Sequence, residues 1–131
     1  MLNLSNYHPD KTINAVKTLT LIDPATMKAL DVTFDVHSLK SIAGRPILTR
    51  MQKEIQDKIE LSEEEAKIQA AKDAADLVTG WEGVSLDGKK ALTFSKENAI
   101  KLFTEQPWIG AQVTNFAMNV AGNYAPKYEE K

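Results

Sequence analysis

The chain has 131 residues, a formal net charge of −2 and no cysteine, with 43% hydrophobic and 26% charged residues. That length suits one domain, able to bury about two-thirds of its unfolded surface without a metal or a disulfide. The acidic balance argues against a general nucleic-acid binder. The missing thiols remove disulfides, thiolate nucleophiles, iron–sulfur clusters and cysteine-based zinc sites, and they fit a reducing compartment. No apolar run approaches a membrane span, and the first eight residues carry neither the basic nor the apolar region of a signal peptide.

The first two elements read as strands. Over residues 15–22, Leu19 and Leu21 share a face. Asp23-Pro24-Ala25-Thr26 makes a turn, with proline where its fixed φ helps. Leu30, Val32, Phe34 and Val36 then alternate with Asp31, Thr33, Asp35 and His37. This period of two predicts a strand with one buried face. A two-stranded hairpin is marginal alone, so it must pack on helices or pair with another chain.

After a loop at residues 41–44 the period becomes helical. Leu48, Met51, Ile55 and Ile59 make a narrow apolar stripe on a helix over about residues 46–60, supported by Glu54 and Lys58 at i,i+4. Ser62 and Glu65 form a capping box that starts a second, alanine-rich helix. That helix is expected to run to about Thr79 and to stop at Gly80, with Trp81 folding back onto Ala75. In residues 84–94 the Asp87-Gly88 turn and the apolar pattern disagree on register, which predicts a short irregular hairpin or an ordered loop. Ser95 caps a third helix, to about Glu105. Pro107 opens a fourth, with Ile109, Val113, Phe116, Val120 and Tyr124 on one stripe. The predicted fold is a single α+β domain: an antiparallel β-hairpin segment in residues 1–42, about four helices in residues 43–125, and a charged tail in residues 126–131 that is expected to fray.

Candidate chemistry is sparse. Residues 83–90 nearly match the phosphate-binding pattern G-x-x-x-x-G-K-[ST]. Lys90 replaces the hydroxyl, a helix and Trp81 are expected before the loop, and a strand over residues 91–94 is expected after it, so a turn is the preferred reading. His8 and His37 have no spacing that joins them to a carboxylate. Glu63, Glu64 and Glu65 suit the first turn of a helix rather than a cation. No serine stands in a catalytic order. No catalytic, cofactor-binding or metal-binding residue is assigned. Trp81 and Trp108 fit the core of a small domain or anchors for a partner. Trp81 is read as core. Trp108, together with Leu48, Met51, Ile55 and Ile59, makes the candidate partner-binding set.

The layout itself carries a resemblance. Leu77-Val78-x-Gly80-Trp81-x-Gly83-Val84-x-Leu86-Asp87-Gly88-Lys89, then Phe94-Ser95-x-Glu97-Asn98-Ala99, then Pro107-Trp108-Ile109-x-x-Gln112-Val113, resembles the tail assembly chaperones of long-tailed, siphovirus-type bacteriophages. Leu19 to Thr26 looks like their first strand and turn. Met27 departs from the glycine expected after Pro-Ala-Thr, and Thr93 stands where proline is common. The resemblance implies a non-enzymatic protein of the infected host's cytoplasm, absent from the mature virion. Its implied partners are the tape measure protein and the tail-tube subunits that assemble around it, with no nucleic acid and no membrane. Such proteins are often made in two lengths by ribosomal frameshifting, and a chain stopping soon after its last helix is expected to be the shorter product. The stripe of residues 46–60 and the edges of the hairpin are the surfaces that could serve a client or self-association. A structural completion or connector subunit of the tail is the alternative, and a small nucleotide-binding enzyme ranks last.

Overall fold

The computed structural model describes residues 14–85, 87–119 and 123–124. Strands β1 (Lys17–Ile22) and β2 (Ala29–Val36) form the expected antiparallel hairpin, and four helices follow: α1 (Arg45–Gln56), α2 (Glu63–Leu77), α3 (Lys96–Glu105) and α4 (Pro107–Met118). The class is α+β, as the sequence patterns predict. The helical region also contains a strand, β3 (Val78–Glu82), which pairs antiparallel with β2 to give a sheet in the order β1-β2-β3.

β3 corrects the expected end of the second helix. α2 stops at Leu77, and Val78 is already extended, so the helix passes into the strand with no loop between them. β-branched Val78 and Thr79 favour the extended form. Gly80 is therefore a strand residue opposite Asp35 and not a helix cap. The left-handed glycine comes three residues later. Gly83 has φ 83°, and a Cβ there would lie 2.0 Å from the Asp31 carbonyl oxygen. Trp81 likewise does not fold back onto Ala75 but sits on β3 opposite Phe34.

The hairpin turn shows the cost of its sequence. The Asp23 carboxylate accepts from the Ala25 N–H at 2.8 Å, and the Asp23 carbonyl accepts from the Met27 N–H at 2.7 Å. Closing this loop forces Met27 to φ 60°, a region that glycine enters without strain. This is the position at which the pattern of the tail chaperones it resembles favours glycine.

The core forms between one face of the sheet and three helices. Phe34 is fully buried in the central strand, with the Trp81 and Phe103 rings each 5.9 Å away. Leu19, Leu21 and Val36 share that face. Ala71, Ala74 and Ala75 of α2 are buried, and their small side chains let α3 and α4 pack closely. Gly110 completes the approach: a Cβ there would lie 3.3 Å from the Phe103 Cβ. α4 ends at Met118, so its apolar stripe does not reach Tyr124 as one helix, and Val120 lies outside the described residues. Tyr124 is nonetheless fully buried. Its hydroxyl donates to the Val36 carbonyl at 2.8 Å, and burial raises its pKa above the usual phenol range.

Local signals place the starts of α2, α3 and α4 as expected. The Ser62–Glu65 capping box is closed in both directions, Ser95 accepts from the Asn98 N–H at 3.0 Å, and Pro107 opens α4. The crossing from β2 to α1 is pinned by buried Ser38 and Ser41, whose hydroxyl donates to the Ser38 carbonyl at 2.5 Å. Gly44 is required there, because a Cβ would meet that carbonyl oxygen at 2.2 Å.

The described residues between 84 and 94 form a loop, with no strand among them. The Trp81 indole clamps it, donating to the Leu92 carbonyl at 2.7 Å and meeting the Phe94 ring edge-on at 5.1 Å. Trp81→Ala removes both contacts and the edge on Phe34. It is expected to cost about 3 kcal/mol, read as a lowered midpoint in chemical denaturation; an unchanged midpoint contradicts the clamp. Met27→Gly should act in the opposite direction, raising stability by about 0.5–1 kcal/mol after the entropy of the added glycine is charged. A midpoint that falls on this substitution contradicts strain at the turn.

Candidate partner-binding surfaces

The α1 stripe divides along its length. Ile47 is buried, Leu48 and Met51 are half-buried, and Met51 packs against the core. Ile55 is 79% exposed and Ile59 51% exposed. The first half therefore anchors the helix and the second half faces solvent. α1 ends at Gln56 rather than near Glu60, yet Ile59 returns to the stripe through the helix terminus. The Ile59 N–H donates to the Glu54 carbonyl at 3.0 Å and the Lys58 N–H to the Ile55 carbonyl at 3.3 Å, with Lys58 at φ 52°. This is a Schellman cap, with lysine at the position that glycine usually holds. Met51, Ile55 and Ile59 line a shallow depression of about 600 Å³, rimmed by Glu54, Lys58 and Glu60.

Among the described helices and strands, α1 makes few contacts with the others, whereas α2, α3 and α4 pack extensively on one another. One polar tie reaches across. Arg50 bridges Glu54 of its own helix, at 2.7 Å, and Asp73 of α2. Asp73 is buried and also accepts from the Gln69 carboxamide at 3.1 Å. Breaking this pair by removing Arg50 would leave a buried carboxylate without its cation.

Trp108 belongs to a different surface. Its half-buried ring lines a cleft of about 390 Å³ between the sheet and the α3–α4 junction, with Leu30, Val32, Phe34 and Leu102. Its indole N–H donates to the Gln106 carboxamide at 3.0 Å. The cleft shares no residue with the α1 depression, and half-buried Leu48 lines neither, so the five candidate residues do not form one surface. Other exposed apolar residues escape the stripe reading: among them Ile42 stands in a loop, Leu61 follows the α1 cap, Ile68 lies on α2 and Met118 ends α4. Isolated residues of this kind carry no period in the sequence.

The near-match at residues 83–90 has strand β3 before it, where a helix was expected, and no strand over residues 91–94. The local chemistry disfavours phosphate. The Asp87 carboxylate itself accepts from the Lys89 N–H at 2.8 Å, the Lys90 N–H at 3.0 Å and the Ser85 hydroxyl at 3.1 Å. Amides that would cradle an anion already hold one, and those of Lys90 and Lys89, followed by the Ser85 hydroxyl, keep the Asp87 pKa below its ordinary range. The Lys89 and Lys90 side chains are exposed. His8 lies outside the described residues. The His37 Nδ1 is buried with no hydrogen-bond partner among the described residues, and burial, then the Lys96 charge, lowers its pKa. No group of three or more His, Cys, Asp or Glu suited to a metal occurs among the described residues. Glu63, Glu64 and Glu65 occupy the first turn of α2, where they meet the positive end of the helix dipole.

The division of the α1 stripe has a direct test. Ile55→Asp should leave stability within about 0.5 kcal/mol of wild type, since the side chain is in water. Met51→Asp should cost about 2 kcal/mol or more, because it pushes a charge against the core. Thermal unfolding followed by circular dichroism compares the two; equal losses would show that the stripe is one continuous core face.

No curated protein and no solved structure matches the chain. Residues 35–131 match the family described as YdaY prophage protein, a span from the end of β2 through helices α1 to α4 to the last residue. The chain belongs to the YdaY prophage protein family and is phage-derived.

Proposed function

We propose that this protein is a non-enzymatic tail assembly chaperone that binds the tape measure protein in the host cytoplasm and promotes assembly of the tail tube. The observation that carries this reading is the Ile55–Ile59 strip, apolar and exposed on a helix that the core holds lightly. A chaperone of a long, aggregation-prone client needs apolar surface that its own fold leaves unused, not a reactive site. The phage origin supplies the setting, and the likeness of residues 77–113 to the tail chaperones supplies the client. The major tail tube protein and a second copy of this chain are further partners on the same reading.

A structural role in the tail is the second reading. Its support is the sheet: among the described residues β1 and β3 each pair only with β2, which leaves both outer edges open there.

Co-expression separates the two. The tape measure protein from the same genome should be soluble when made with this chain and insoluble without it. Equal insolubility in both cases, or abundant copies of this protein in purified virions, would overturn the chaperone reading and favour the structural one.

A further inference from the structure

The exposed half of α1 is symmetric about Ile55. Met51 and Ile59 stand four residues before and after it, and all three line the depression at the end of the helix. Side chains four apart share a helix face. Turned end for end about Ile55, the strip therefore keeps an apolar residue at each of its three positions. Its flank is symmetric in charge as well. Glu54 and Lys58 lie four apart on one side of the strip, and the same reversal sets the lysine of one strip beside the glutamate of the other.

The strip is preformed. The Lys58 and Ile59 N–H groups are taken by the Ile55 and Glu54 carbonyls, so the cap holds Ile59 in line with Ile55 before any partner arrives. Little backbone entropy is left to lose on contact. Arg50 fixes the Glu54 carboxylate on the flank through Oε1. A carboxylate has acceptor sites for a second cation, and the Lys58 side chain is exposed.

We propose that a second copy of this chain covers the strip, with the two α1 helices packed antiparallel about a two-fold axis at Ile55. Ile55 then meets Ile55 of the second copy, Met51 meets its Ile59, and Lys58 lies beside its Glu54. The contact is isologous, one patch used twice. In a parallel pair the Glu54–Lys58 flank would face Gln52 and Gln56 instead, with no opposite charge to meet. Two isoleucines and a methionine per copy fall well short of the area of about 800 Å² per partner in a standard interface, so the pair is weak and exchanges. The inference deepens the chaperone reading, on which the client takes the same strip: the second copy shelters it until a client competes.

Sedimentation equilibrium of the intact protein should show a dimer that grows between about 10 µM and about 1 mM. Ile55→Asp should abolish it. Lys58→Glu and Glu54→Lys should each weaken it by about tenfold or more, by setting like charges together. Mixing these two variants should restore it, because an antiparallel pair of one with the other has opposite charges on the flank at both ends. Circular dichroism first checks that each variant is folded. Where Glu54→Lys disturbs the fold through Arg50, the register is read on the wild-type protein, from an intermolecular NOE between the Met51 methyl of a carbon-13-labelled copy and Ile59 of an unlabelled one. A protein still monomeric at the highest concentration, a dimer indifferent to Ile55→Asp, or folded variants that gain nothing on mixing would overturn the antiparallel pair, as would a dimer without the Met51–Ile59 NOE. A tape measure protein kept soluble by a chain that stays monomeric would overturn the pair and leave the chaperone reading standing. The predicted dimer beside a client that stays insoluble would keep the pair and overturn that reading.

Discussion

Phe34 is the constraint on which the rest of the structure depends. It lies in the central strand, fully buried, and aromatic and aliphatic neighbours close on it from both flanking strands and from α3. β1 places Leu19 opposite it and β3 places Trp81 opposite it. Phe103 reaches it from α3. Two strands could not enclose an aromatic ring of this size, and α2 therefore has to hand the chain directly to a third strand. The Trp81 ring then extends the same aromatic cluster outward to Phe94 and secures the long loop.

Elements whose information is local were legible in the sequence. The alternation around Phe34, the Ser62–Glu65 box, the Ser95 cap and Pro107 each act within a few residues, and each stands where the pattern places it. β3 was not legible, because five residues containing a glycine carry too little alternation, and only the partner strand decides that Val78-Thr79-Gly80 is extended. The same glycine read alone resembles a helix stop. Ile59 teaches a related lesson. Helical spacing put it on the α1 stripe, and it lies there, but through a terminal motif rather than a further turn of helix. Of the candidate surface, the stripe could be read from its period. Its division into anchor and exposed strip could not, since that depends on how far the body extends beneath α1. The separation of Trp108 into another cleft is likewise a fact of tertiary packing.

The molecule combines a tightly packed centre with surplus recognition capacity at its margins. Small residues on α2 and α4 bring the helices close and leave little side chain to spare. Apolar and hydrogen-bonding groups not consumed there appear at the end of α1 and in the Trp108 cleft. This distribution fits a protein that acts by binding, with a rigid body to hold its shape and lightly held parts to meet a partner.

The central claim is that α1 is a lightly attached arm on a rigid core, and native-state hydrogen exchange read residue by residue tests it most directly. The amides of α1 should exchange through a local opening, well before those of β2, α2 and α4, which should open only with global unfolding. Protection of α1 equal to that of β2 would contradict the claim and return the Ile55–Ile59 strip to the status of ordinary surface.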